Sequence, residues 1–220
     1  MNKSLFLCLF VFFSYNAMAG FRPGLTRVVY DESKNEASIP VAAVGDDTYY
    51  LVQAWVDDHN HKRADFIVTP PIFKLSPETQ NNIRMRYIGS DLEKDRESMF
   101  WLNIKAIPSK DASIGSQITI ASKSVMKLIY RPSSLNYKDA IKAKESLSFS
   151  ISGNNLIIKN PTPYYINFGR FFINSIEVKD IGYAEPFGEF RKTVGAVPNH
   201  IKYSVIDDFG GVSEPINRKL

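Results

Sequence analysis

Asp57-Asp58-His59-Asn60-His61 concentrates residue types that ligate metals, with two imidazoles and two carboxylates in one short run. Neighbours alternating along a chain seldom converge on one tetrahedral ion. The run also follows a strand-like segment and is rich in turn formers, so it reads as a solvated hairpin loop. The remaining histidine, His200, stands far away in sequence. Asp207-Asp208 offers carboxylates for acid–base work, but acidic pairs are common and this one alone assigns no reaction. There is no Gly-x-Ser-x-Gly elbow, no phosphate-cradling glycine loop and no dinucleotide fingerprint. These residues imply no catalytic constellation, no metal and no cofactor, and they turn attention to binding.

The single cysteine, Cys8, lies in a leader-like segment. Lys3 supplies a positive charge, Leu5 to Phe13 is apolar, and Ala17-Met18-Ala19 has small residues where a signal peptidase reads. The apolar run is too short to span about 30 Å of hydrocarbon. Residues 1–19 are therefore expected to be a cleaved signal peptide and the mature chain to be exported, with no stable membrane insertion. It would carry no thiol into an oxidising compartment and would rely on its core alone. The net charge of +4 is spread among acidic residues with no dense basic run, which argues against nucleic acid as a partner.

The elements that would position any binding residues are strands. Candidates are Thr26–Tyr30, Glu36–Val44, Tyr49–Val56, Asn81–Tyr87, Met99–Ile107 and Gln117–Tyr130. Asn81–Tyr87 alternates plainly, with Ile83, Met85 and Tyr87 on one face and Arg84 and Arg86 on the other. Trp55 reads as a core aromatic. No segment has a long helical period. Short strands over about 110 residues fit an immunoglobulin-like sandwich. Arg131-Pro132-Ser133-Ser134 interrupts the pattern, because proline has no amide donor. Strand signals resume at Ser146–Ile151, Leu156–Lys159, Tyr164–Ile173, Ser175–Val178 and Ile201–Ile206. The fold class expected is all-β, with two immunoglobulin-like β-sandwich domains over residues 20–132 and 133–220.

Two blocks, Asp95-Arg96-Glu97-Ser98-Met99-Phe100-Trp101-Leu102-Asn103-Ile104-Lys105-Ala106-Ile107-Pro108 and Lys127-Leu128-Ile129-Tyr130-Arg131-Pro132, together resemble the signature of the periplasmic chaperones of chaperone–usher pili, the PapD-like family. Gly24-Leu25-Thr26-Arg27-Val28-Val29-Tyr30 resembles its first strand. Asn160-Pro161-Thr162-Pro163-Tyr164-Tyr165 and Asp207-Asp208-Phe209-Gly210-Gly211 resemble its second domain. The resemblance covers nearly the whole mature chain.

The resemblance implies a non-enzymatic role in the periplasm, with two domains in a boomerang arrangement. The partners it implies are pilus subunits and an outer-membrane usher. Arg27 and Lys127 fall on the family's two cations that anchor a subunit's C-terminal carboxylate. Ile118, Ile120 and Ser122 fall on the donor strand that completes the subunit's fold, and Ser122 is small and polar where a third bulky apolar residue is usual. Ile118 and Ile120 are even-numbered and Lys127 odd, so a flat strand would put them on opposite faces. Glu97, Arg131 and Asp208 match an interdomain ion network. Leu51, Ile107 and Pro108 match a small apolar usher-facing patch. One bond of Thr69-Pro70-Pro71 is a candidate cis peptide. A pilin or adhesin is one incomplete sandwich with an N-terminal extension, whereas this chain enters a sandwich at once and has a second domain. A carbohydrate-binding module remains an alternative.

Overall fold

The computed structural model describes residues 20–45, 47–109, 118–195 and 198–220. The expected signal peptide and Gln117, the expected start of the donor segment, lie outside the described residues. Two separate apolar cores organise the chain.

The first core lies between two sheets. One is ordered β1 (Gly20–Pro23), β3 (Ala37–Val44), β7 (Gln80–Tyr87), β5 (Phe66–Thr69). The other is ordered β2 (Arg27–Asp31), β9 (Ser122–Arg131), β8 (Ser98–Pro108), β4 (Tyr50–Asp57), β6 (Ile72–Leu75). Alternation decides what each strand buries. Ile83 and Met85 of β7 are buried while Arg84 and Arg86 are exposed. Tyr50, Val52, Ala54 and Val56 of β4 point inward, as do Leu102, Ile104 and Ala106 of β8. Each fully buried Val, Leu, Ile or Met side chain among them is worth roughly 1.5–3 kcal/mol over exposure.

Trp55 departs from its expected place in the core. Its parity puts it on the outer face of β4, half-buried, because Ala54 and Val56 take the inward positions. There the cations of Arg63 and Lys123 stand 5.0 and 5.1 Å from the centre of its ring, and its Nε1 donates to Asp57 Oδ2 at 2.8 Å. The Thr69–Pro70 bond is cis.

The second core lies between a sheet ordered β10 (Ser148–Ser152), β11 (Asn155–Lys159), β15 (Glu189–Thr193) and one ordered β13 (Ile176–Glu177), β12 (Ile166–Ile173), β16 (His200–Val205), β17 (Ile216–Lys219), with β14 (Tyr183–Ala184) paired to β12. The strands β1, β5, β6, β14, β15 and β17 lie outside the segments whose pattern predicts strand. Most are of two to four residues, too short for a two-residue period to declare itself. A helix, α1 (Tyr137–Ala143), also appears where the sequence suggested only a boundary. Asn136 caps it by accepting from the Asp139 N–H at 3.0 Å, and Ala140 and Ala143 pack on the second core.

The expected single strand Gln117–Tyr130 is shorter. It begins at Ser122, and Ile118 to Ala121 are not in strand. The last β8–β9 pair is Ala106 with Ser122, and extending that register would set Ile120 opposite Pro108, which ends β8 and brings no N–H to a ladder. The parity conflict therefore does not arise within one strand. Inside β9, Met126, Leu128 and Tyr130 face the core and Lys127 faces out.

Candidate functional site

Strand β9 has different neighbours along its two halves. On one side it pairs with β8 from Ser122 through Tyr130. On the other it pairs with β2, in parallel, only from Lys127 to Arg131. The stretch Ser122–Met126 consequently has one edge without a strand beside it among the described residues. An open edge is a row of backbone donors and acceptors that a further strand can join. Ile118 and Ile120, just before it, are 90% and 78% exposed. Ser122 is exposed as well, at the first position of β9.

Arg27 and Lys127 meet where this open lane ends. They are direct register partners in the parallel β2–β9 pair. Arg27 is buried, its Nη1 donates to the Ile206 carbonyl at 3.3 Å, and its Nε is buried without an acceptor. Burial pulls the Arg27 guanidinium below its ordinary range, partly offset by Asp208 and Asp207 at a distance. Lys127 Nζ donates to Asn167 Oδ1 at 2.5 Å and lies 4.4 Å from the centre of the Tyr183 ring. Burial, and then the like charge of Arg27, bring the Lys127 ammonium down to about 8. Neither cation makes an ion pair among the described residues. Two adjacent, partly desolvated cations with spare donors suit a carboxylate, which accepts charge-assisted hydrogen bonds.

Four positions further along the same strands the arrangement changes. Arg131 Nε donates to Glu97 Oε1 at 2.7 Å, and its Nη1 and Nη2 donate to Asp208 at 2.7 and 3.0 Å. Glu97 Oε2 also accepts from the Tyr165 N–H at 2.7 Å, and the Glu97 N–H donates to the Pro163 carbonyl at 2.9 Å. Burial pushes the Glu97 carboxyl up to about 7 against the pull of Arg131. These contacts join the first sandwich to the second. Gly210 closes the same junction, since a Cβ there would come within 2.5 Å of Thr26 Oγ1.

The apolar patch expected at Leu51, Ile107 and Pro108 is only partly assembled. Leu51 and Ile107 are register partners on the outer face. Pro108 is paired with Tyr50, which points inward, so it belongs to the other face. Ile72 of β6 is exposed one strand further along that outer surface, a contribution the sequence did not announce because β6 was not recognised. Asn167 and Tyr183 were missed as neighbours of Lys127; both come from the second sandwich, and no local pattern marks them. His59 and His61 sit in an exposed turn after β4, and no grouping of metal-ligating residues occurs among the described residues. No helix among them is long and apolar enough to cross a membrane.

Comparison with known proteins agrees over nearly the full length. Residues 20–136 match the model for the pili and flagellar-assembly chaperone, PapD N-terminal domain, and residues 142–216 match that for the pili assembly chaperone PapD, C-terminal domain. The probable fimbrial chaperone LpfB of Escherichia coli O157:H7 is 42% identical, covering 100% of this chain and 97% of its own. The chaperone protein FimC of E. coli K12 is 35% identical, over 90% of this chain and 83% of its own. Among solved structures, the Salmonella enterica SafA pilin in complex with the SafB chaperone matches with a TM-score of 0.82 and 28% identity, covering 94% and 99% of the two chains. The E. coli chaperone DraB matches with a TM-score of 0.81 and 29% identity, over 92% and 98%.

Proposed function

The chain belongs to the PapD-like family of pilus-assembly chaperones, and from that premise we propose how this sequence binds a pilus subunit in the periplasm and passes it on. The work is binding rather than catalysis. The observation that carries the reading is the half-open strand β9, ending at two cations that make no ion pair among the described residues. An incoming subunit strand occupies the lane beside Ser122–Met126, and its C-terminal carboxylate meets Arg27 and Lys127 where β2 takes over that lane. A strand ending there continues the line of β2 and so runs parallel to β9. Ile118 and Ile120 become ordered on the subunit and fill its unfinished core. Strand addition of this kind, of which pilin donor-strand complementation is an established example, draws affinity from the backbone and selectivity from alternate side chains.

Burying Ile118 and Ile120 contributes roughly 1.5–3 kcal/mol each. Ser122 adds little, so the apolar donor set of this chain is short and the carboxylate anchor carries a correspondingly larger share. Glu97, Arg131 and Asp208 hold the two sandwiches in register with one another. The outer-face residues Leu51, Ile72 and Ile107 serve delivery to an outer-membrane usher, and export rests on a leader in residues 1–19.

The test is co-expression with a pilus subunit and recovery of the complex from the periplasm. Replacing both cations, Arg27→Ala with Lys127→Ala, is expected to abolish recovery while circular dichroism of the free chaperone stays that of wild type. An unchanged yield of complex from the double variant would remove the anchor.

A further inference from the structure

The two cations of the anchor are held by neutral oxygens, and both oxygens come from the second sandwich. Lys127 Nζ donates to the side-chain carbonyl of Asn167, and Arg27 Nη1 donates to the backbone carbonyl of Ile206. The two acceptors are tied to each other, since the Ile206 N–H donates to the Asn167 backbone carbonyl at 2.8 Å. Asn167 is 3% exposed and is fixed from its other side by pairing with Tyr183, whose ring lies against Lys127.

Carboxylates close by are engaged elsewhere. Asp208 is taken by Arg131, and Asp207 Oδ1 accepts from the N–H groups of Phe209 and Gly211 at 2.9 and 2.8 Å. The site thus satisfies part of each cation's hydrogen-bonding capacity, and among the described residues no carboxylate pairs with either cation directly.

We propose that Asn167 is a positioning residue that stands in for the subunit carboxylate, holding Lys127 aimed into the junction and yielding it when the carboxylate arrives. This rests on the anchor reading above and adds a requirement to it: the stand-in must be neutral. A carbonyl oxygen gives Lys127 one acceptor whose loss costs less than breaking a buried ion pair. A carboxylate at the same position would neutralise the ammonium in place, and a subunit would then have to displace a buried ion pair. Asparagine and aspartate are nearly isosteric, so the difference between them is one of charge.

The experiment uses the full mature chaperone and a probe peptide of alternating valine and threonine, with a free C-terminal carboxylate or with a C-terminal amide. Wild type is expected to bind the carboxylate form at least tenfold more tightly. Asn167→Asp is expected to bring that ratio to within about twofold of unity, with the amide form bound as before. Asn167→Ala removes the stand-in without adding charge and is expected to keep the ratio within about threefold of wild type. Thermal melting checks that both variants are folded, and Asn167→Ala remains informative should Asn167→Asp fold poorly. An unchanged ratio in Asn167→Asp overturns the stand-in role and leaves the anchor intact. Collapse of the ratio in Asn167→Ala also overturns it, because the side chain would then be needed in the complex. A wild-type protein that does not distinguish the two peptides overturns the anchor itself, which Arg27→Ala and Lys127→Ala report independently.

Discussion

The two ends of β9 differ in nearly everything except their backbone. At its far end, Lys127 to Arg131, the strand is paired with β8 on one side and β2 on the other. Tyr130 is buried in a cluster with Tyr30 and Tyr87, and Arg131 is matched by two carboxylates. At its near end one edge has no strand among the described residues, Ile118 and Ile120 project into solvent just before it, and the cations bordering the lane are hydrogen-bonded to neutral oxygens. Arg131 and Lys127 are four residues apart on one strand and face the same side. One is paired within the protein's own architecture; the other, in the function proposed above, is kept for a subunit's carboxylate. An exposed apolar segment and an uncompensated cation are costs to the free chain, and their concentration at one end identifies where another chain is expected.

The sharpest way to break this comparison is to charge the near end. Ile118→Asp with Ile120→Asp places carboxylates where a subunit core must close, and each buried unpaired charge costs several kcal/mol. Subunit affinity is expected to fall by about a thousandfold or more, while urea unfolding of the free chaperone changes by less than about 0.5 kcal/mol. A double variant that unfolds by itself would show that these residues belong to the chaperone's own core and that the two ends are alike.

Exchanging the two cations for methionine tests the contrast from the other side. Arg131→Met leaves Glu97 buried without its counter-ion and is expected to destabilise the free chain by about 3–5 kcal/mol. Lys127→Met removes a cation that burial already disfavours, and its urea midpoint is expected to equal or exceed that of wild type. Equal destabilisation by both substitutions would end the distinction between committed and reserved charge.

The smallest effect is a dependence on pH. Lys127 titrates at about 8 in the free chain, below its ordinary 10.5. Between those values the unfolded chain binds more protons than the folded one, so free-chaperone stability from this group rises with pH; below about 8 the full penalty of the buried charge is present. The groups facing Lys127 are Arg27 from β2 and Tyr183 from β14, with neutral Asn167 from β12. A bound carboxylate restores the ammonium, so binding takes up a proton above pH 8 and weakens there, by up to about tenfold per pH unit. Calorimetry of subunit binding at pH 7, 8 and 9 measures this, and Lys127→Met is expected to abolish the slope.

Much of the framework was legible from local pattern. The alternation in Asn81–Tyr87 predicted which residues β7 buries, and Pro132 marked the end of β9 because it has no amide donor. The remaining elements are short or acquire their pattern only from a partner. Residues 66–69 and 72–75 on either side of Pro70-Pro71 are too brief to show a period. Trp55 was misassigned because an aromatic residue in a strand says nothing of parity until the neighbours' faces are known. The strand expected from Gln117 stops at Ser122 because strands need neighbours, and β8 runs out at Pro108.

The sequence by itself determined the family, the all-β character and the identities of the cations: Arg27, Lys127 and Arg131 all stand in recognisable strand segments. Their different roles were legible only through the family resemblance; the local composition of those segments does not distinguish a paired cation from an unpaired one. That difference was decided only by tertiary structure, because the partners arrive from far along the chain, Asp208 at 77 residues from Arg131 and Asn167 at 40 from Lys127. The physical reason is that a charge's energy depends on what surrounds it. Burial raises the cost of leaving it uncompensated, and the full set of partners, Asp208 for Arg131 and Asn167 for Lys127, is complete only once the two sandwiches meet.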